Sequence, residues 1–277
     1  MQREMRCIAL DLDHTTLRMD GSLSPRTKEA LCAAISAGIQ VVIVSGRAFS
    51  TLPASVMEIP GIDYAVTSNG AASYYKKQRI HSWMLSAGSV EQMLKIAEPY
   101  FLAGKFAYES FVDGQAYAGC DFVECPKKFG VSEQSVSYIQ KTRRPVSDIQ
   151  AFTRRYIERL DSLDLIFSDL ELEKKLKNEF LKACDDIYIT SAISYRMEIS
   201  HRDSGKAAGL RDILRRIGVS EEHTAAFGDG ENDAEMLKSA GLGVAVANAH
   251  AHCLQAADLV TGTNDEDGVA AVIESWL

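Results

Sequence analysis

Two aspartates, Asp11 and Asp13, stand two residues apart directly after the short apolar run Arg6 to Leu10. A carboxylate in that place can attack phosphorus to form an aspartyl phosphate, dividing one hard displacement into two easier ones. The second carboxylate can protonate the leaving oxygen and later deprotonate water. Taken alone, D-x-D also reads as a strand end whose acids cap a turn. A second acidic stretch, Gly228-Asp229-Gly230-Glu231-Asn232-Asp233, again falls between an apolar run and a helix start. Asp229 and Asp233 can join Asp11 around a hard divalent cation with oxygen ligands, Mg2+ being the default beside phosphate. Helix capping explains part of this second motif on its own. Carboxylates gathered at one sheet edge repel by on the order of 1 to 4 kcal/mol per pair at about 4 Å, which a metal and nearby cations offset. Ser45, in Val44-Ser45-Gly46-Arg47, offers a hydroxyl and neighbouring N–H groups to phosphoryl oxygens. Lys206, after Asp203-Ser204-Gly205 at a helix start, can neutralise nucleophile and phosphate together.

These residues need elements to hold them. Arg6 to Leu10 reads as a buried strand. Ser24-Pro25 supplies an N-cap and a first-turn proline, apolar residues recur at helical spacing through Ile35, and Gly38 closes that helix. Ile39 to Val44 is a second strand, Phe49 to Met57 a helix, and Tyr64 to Thr67 a third strand. The rhythm returns with Ser204 to Ile217 as helix, Thr224 to Phe227 as strand, Glu231 to Ser239 as helix, Leu242 to Ala247 as strand and Asp267 to Trp276 as a last helix. Such alternation predicts an α/β fold, a doubly wound parallel sheet covered by helices. Ligands bind such sheets beyond the carboxyl ends of the strands, where both acidic motifs fall.

The segment between the two blocks has a different texture. Phe106 to Phe111 and Gln115 to Ala118 read as a hairpin about Asp113-Gly114, a dipeptide favoured in tight turns. The expected division is therefore a core of 1–83 and 200–277 with an inserted α+β domain, 84–199. Within the insert, Pro126 to Leu160 holds eight basic residues against three acidic ones, either a solvated face or a surface that meets an anionic substrate.

The 277 residues are 46% hydrophobic and 25% charged, ordinary globular proportions. A net charge of −8 disfavours nucleic acid and anionic lipid as partners. The six cysteines are scattered without C-x-x-C spacing, as in a reduced cytoplasmic protein. No apolar run approaches the roughly 20 residues of a membrane helix, and none near the N-terminus resembles a signal peptide. Oligomeric state is not written in these patterns.

The order D-L-D-x-T, S-G-R, a lone lysine at a helix start and G-D-x-x-N-D resembles the haloacid dehalogenase superfamily of phosphohydrolases. Thr67-Ser68-Asn69-Gly70-Ala71, Asn248-Ala249 and Asp265-Glu266-Asp267-Gly268-Val269 are similar to its Cof-type branch. The match spans roughly 1–83 and 200–277. The resemblance implies that Asp11 is nucleophile and metal ligand, and that Asp13 is the acid-base residue, also binding Mg2+ through its backbone carbonyl. It implies that Asp229 binds the metal and that Asp233 does so directly or through water. It further implies that Ser45, Lys206 and Asn232 hold the phosphate, while Arg47, Asn69, Gly70 and Asn248 face the substrate. The insert would be a large cap that closes over the core and sets specificity. Two departures stand out: His14 occupies a position that is usually glycine in the family, and Val246-Ala247 replaces its usual Met-Gly. If position 14 needs positive φ, histidine tolerates it less well than glycine but better than a β-branched residue.

The expected activity is hydrolysis of a small phosphorylated metabolite, a sugar phosphate or phosphorylated cofactor. The alternatives are a sugar phosphomutase on the same aspartates, or a catalytically silent sugar-phosphate-binding regulator. An acid at position 13 argues against the silent binder, which gains nothing from a proton donor at the leaving oxygen.

Overall fold

A computed structural model describes residues 4–191 and 195–277, and the chain divides into two compact units. The first comprises Met1–Arg47, Leu52–His81 and Gly205–Leu277; the second comprises Ala48–Thr51 and Ser82–Ser204. The junctions depart from the boundaries expected from sequence. Ala48–Thr51 belongs with the second unit, where Ser50 N–H donates to Gly114 O at 2.9 Å. Residues 200–204 stay there too, because the strand Arg196–His201 pairs as far as Ile187↔His201.

The first unit is built on a sheet in the order β14 (Leu259–Val260), β13 (Leu242–Ala245), β12 (Thr224–Gly228), β1 (Cys7–Leu10), β2 (Gln40–Val44), β3 (Tyr64–Thr67), β4 (Ala72–Tyr75), β5 (Gln78–Ser82). The strands from β14 to β3 are parallel, and β4 is antiparallel to β3. The chain runs outward from β1 through β2 and β3 on one side and returns through β12, β13 and β14 on the other. Its direction of winding therefore reverses at β1, where a ligand crevice is expected. Cys7 to Leu10 are fully buried, as in a parallel strand covered on both faces. The helix Pro25–Ser36 starts where the sequence predicts, with Ser24 accepting from Thr27 N–H and Pro25 in the first turn. The helix Lys206–Ile217 buries Leu210, Ile213 and Leu214 against Val42, Val44 and Val66.

Local chemistry alters two expected helices. Phe49 to Met57 is two short pieces, a 3-10 turn at Phe49–Thr51 and one helical turn at Ala54–Met57. Pro53 sits between them, where its ring and missing N–H prevent a continuous helix. Glu231–Asp233 is likewise a 3-10 turn leading into the helix Ala234–Ser239.

The second unit has its own sheet, ordered β10 (Ile187–Thr190), β11 (Arg196–His201), β9 (Leu160–Phe167), β6 (Phe106–Val112), β7 (Gln115–Gly119), β8 (Arg144–Val146). The hairpin between β6 and β7 forms at Asp113-Gly114, both at positive φ (49° and 75°), as a two-residue turn demands. One face packs Phe106, Tyr108, Leu163, Leu165 and Met197 against the helices Ala87–Leu102 and Leu170–Ala183. The other carries Glu109, Asp164 and Glu198 directly opposite one another on three adjacent strands, all buried. Arg143 grips Glu109 through two bonds of 2.6 and 3.0 Å, and Arg196 reaches Glu109 at 3.0 Å and Asp164 at 3.8 Å. Much of the basic stretch is thus internally committed, since Lys127 pairs with Glu133, Arg154 with Glu91 and Arg159 with Asp113. Among the described residues no helix is long and apolar enough to cross a membrane.

Candidate active site

Register brings the two acidic motifs together. Leu10 of β1 lies opposite Phe227 of β12, so Asp11 and Asp229 leave adjacent strands at the same sheet edge, and Asp11 N–H still donates to Phe227 O at 3.1 Å. Beyond Asp11 the chain makes one wide turn closed by Leu17 N–H donating to Leu12 O at 2.8 Å. The reversal places His14 at φ 60°, a left-handed backbone that glycine adopts without strain and that histidine accommodates here.

Lys206 is the electrostatic centre. Its side chain is 2% exposed, and its Nζ lies 2.6 Å from Asp11 Oδ1 and 2.7 Å from Asp233 Oδ1. Burial works against the ammonium, but the two carboxylates outweigh it and hold the proton on more firmly than in a free lysine. The other oxygen of Asp233 accepts from Asp229 N–H at 3.2 Å and Gly230 N–H at 2.9 Å. Thr15 Oγ1 donates to Asp229 Oδ1 at 3.0 Å, tying the first motif to the second.

Oxygens of Asp11, Asp229 and Asp233 lie within 4.8 Å of one another. Burial, and then the neighbouring carboxylates against the pull of Lys206, push Asp11 well above the usual carboxylate range. Burial and Asp233 push Asp229 to about 6. Fully ionised, three carboxylates against one ammonium carry a surplus of two negative charges. A hard oxygen set with that surplus fits a divalent cation such as Mg2+, which would draw Asp11 and Asp229 back to their ionised forms.

Asp13 lies outside this cluster. Its carboxylate faces Arg47, with Oδ2 accepting from Nε at 2.8 Å and Oδ1 from Nη2 at 2.6 Å. Desolvation raises its pKa, but the guanidinium prevails and holds it below the usual range. The side chain is about half exposed (49%), so solvent weakens that pairing. Ser45 Oγ accepts from Arg47 N–H at 3.2 Å, so the S-G-R turn shapes itself around its serine. Asn232 Nδ2 donates to Asn69 Oδ1 at 2.9 Å, and Asn232 Oδ1 is buried without a partner. Gly70 sits at φ 91° with the Gly205 backbone so close that a Cβ would overlap it.

Asn248 is engaged away from the carboxylates. Its Nδ2 donates to His14 O at 2.8 Å, and its Oδ1 accepts from Asn264 N–H at 3.0 Å. Asn264 Nδ2 in turn donates to Leu17 O at 2.9 Å, so the pair clasps the middle and the far end of the turn after Asp11. The stretch after Asn264 adds to this grip, with Asp265 accepting from Met19 N–H and Asp267 facing Arg18. Thr15 and Asn264 were not among the residues singled out from sequence. Thr15 sits inside the first motif, where it could have been found, whereas Asn264 carries no local signal.

The model of the haloacid dehalogenase-like hydrolase family matches residues 8–273. Phosphatase YwpJ of Bacillus subtilis is 28% identical, over 99% of this chain and 100% of its own length. The 5-amino-6-(5-phospho-D-ribitylamino)uracil phosphatase YwtE of the same organism is also 28% identical, over 99% and 98%. A solved haloacid dehalogenase-like hydrolase from B. subtilis superposes with a TM-score of 0.82 at 27% identity, over 99% and 100% of the two chains.

Proposed function

Because the chain belongs to the haloacid dehalogenase-like hydrolases and is a phosphoric monoester hydrolase, we propose that it uses Mg2+ and an Asp11 aspartyl phosphate to hydrolyse a small phosphorylated metabolite. The observation that carries this reading is the buried Asp11 carboxylate, held at 2.6 Å by Lys206 beside Asp229 and Asp233. Lys206 orients Asp11 and, with Ser45 and Asn232, receives the phosphoryl oxygens. Asp11 attacks phosphorus as the leaving oxygen takes a proton from Asp13. Asp13 then accepts a proton from the water that attacks the acyl phosphate, freeing inorganic phosphate and restoring Asp11.

Asp11, Asp229 and Asp233, with the Asp13 carbonyl, would hold Mg2+. Both Asp233 oxygens already accept hydrogen bonds, which favours contact through water for that residue. When bound, the ion screens the repulsion between Asp11 and the incoming phosphate. Arg47 stands beside Asp13, and its guanidinium would pass to the substrate as Asp13 takes up its proton. Asn248 would reach the substrate side from the clasp it forms with His14 O. The name of YwtE, a 5-amino-6-(5-phospho-D-ribitylamino)uracil phosphatase, points to small phosphorylated molecules as the substrate class. Six free cysteines support a reducing cytoplasmic setting.

The test is turnover of an aryl phosphate with Mg2+. Asp11→Asn is expected to abolish it while leaving the melting temperature near that of wild type. A variant that turns over at the wild-type rate overturns the nucleophile assignment.

A further inference from the structure

The residues after β3 stand in an unusual backbone. Ser68, Asn69 and Gly70 all have positive φ, at 49°, 52° and 91°. Outside exposed hairpin turns such as Lys76-Lys77, two consecutive non-glycine residues in the left-handed region need surrounding bonds to hold them. Here the bonds reach three other segments of the site. Ser68 N–H donates to Arg47 O at 2.9 Å, and Asn69 N–H donates to Ser45 O at 3.2 Å. Asn69 O accepts from Gly205 N–H at 2.9 Å, immediately before Lys206. Asn69 Oδ1 accepts from Asn232 Nδ2 at 2.9 Å, next to Asp233. The bare Gly70 lets the Gly205 backbone come into contact, so the start of the lysine helix is pressed against this turn.

From this convergence we propose that Asn69 is a positioning residue for the phosphoryl site, acting through Asn232 and Gly205, rather than a contact to the substrate's leaving group. The inference rests on the phosphoryl-transfer reading above. Its N–H, C=O and side-chain oxygen each fix a different segment, and asparagine is among the residues that best tolerate the left-handed region. Side chain and backbone thus serve one purpose. The side chain aims the Asn232 amide at the phosphoryl oxygens, and the main chain sets the depth at which Lys206 enters between Asp11 and Asp233. A leaving-group contact would have to use Nδ2 instead, and its loss would depend on which leaving group is present.

The test pairs Asn69→Gly with Asn232→Ala. Glycine keeps the left-handed backbone and both main-chain bonds, so the variant is expected to fold, as melting temperature will report. Two aryl phosphates with different leaving groups are assayed, and inorganic phosphate binding is measured by calorimetry with Mg2+. In Asn69→Gly, kcat is expected to fall by on the order of 10- to 100-fold, the scale of a small misplacement of reacting groups. The factor should be equal for both substrates, and phosphate affinity should fall as well. In the Asn232→Ala background the same change should add little, because the two act as one unit. Full additivity with Asn232→Ala, or a loss confined to KM for one leaving group, overturns the assignment. Failure of the phosphatase reading would show instead as absent wild-type turnover. The phosphate-binding cycle would still decide the role of Asn69.

Discussion

Lys206 illustrates how a residue that looks ordinary in sequence becomes indispensable in place. Its ammonium is almost completely enclosed and touches two carboxylates, at 2.6 and 2.7 Å. Removing one partner from a buried ionic cluster costs far more than the pair contributes, because uncompensated charge stays behind. Lys206→Met is therefore expected to destabilise the metal-free protein by about 3–5 kcal/mol and to abolish turnover. Chemical denaturation in metal-free buffer measures the first effect; a loss below about 1 kcal/mol would contradict it. The acidic motifs and this lysine were legible as residue types in order along the chain. The pairing of Asp13 with Arg47, and the use of Asn248 as a clasp, were not. They depend on where the turns after β1, β2 and β13 meet.

At the level of elements, the sheet of the inserted unit holds the least expected feature. Strand register sets Glu109, Asp164 and Glu198 in one buried row, with Arg143 and Arg196 as the guanidinium groups facing it. Burial first, and Glu198 next, push Asp164 well above the usual carboxylate range against the pull of Arg196. A carboxyl raised in this way keeps its proton in the folded state while the unfolded chain releases it near pH 4. Stability then falls as pH rises from there toward the native pKa, since the folded state binds more protons. Asp164→Asn stays neutral throughout. Its stability relative to wild type is expected to rise from acid to alkaline pH, and denaturation curves at pH 4, 6 and 8 would show this. A difference that does not change with pH would sink the idea. The apolar runs gave away the parallel strands, and the Asp113-Gly114 dipeptide gave away the hairpin. Neither could reveal a polar row, because Glu109, Asp164 and Glu198 are far apart in sequence and share a face only through pairing.

For the molecule as a whole, the first unit gathers three carboxylates whose mutual repulsion a divalent cation would relieve. A ligand that binds only the folded state stabilises it by mass action, by about 2.7 kcal/mol at one hundred times its dissociation constant. Mg2+ at that excess is expected to raise the melting midpoint of this unit by about 5 to 10 °C, given the usual entropy of unfolding at this size. Asp229→Asn should remove most of that rise. An equal shift in the variant would mean that the ion acts elsewhere. Because the chain has two compact units, the transition is followed by a probe within the first, such as Trp276, which packs on Phe227 of β12.

By itself the sequence determined the class of fold, the family and the class of reaction, hydrolysis of a phosphoric monoester. Apolar runs of strand length alternating with helical patterns leave few alternatives to a parallel sheet, and two D-rich turns after such runs must lie at its carboxyl edge. Tertiary structure alone decided how the carboxylates share their charge, which amides are spent on holding loops, and that Asn69 links three segments of the site. Those outcomes arise from contacts between residues far apart in the chain, such as Thr15 with Asp229, 214 positions on. No local pattern encodes them, because the free energy of each contact depends on what else is buried beside it.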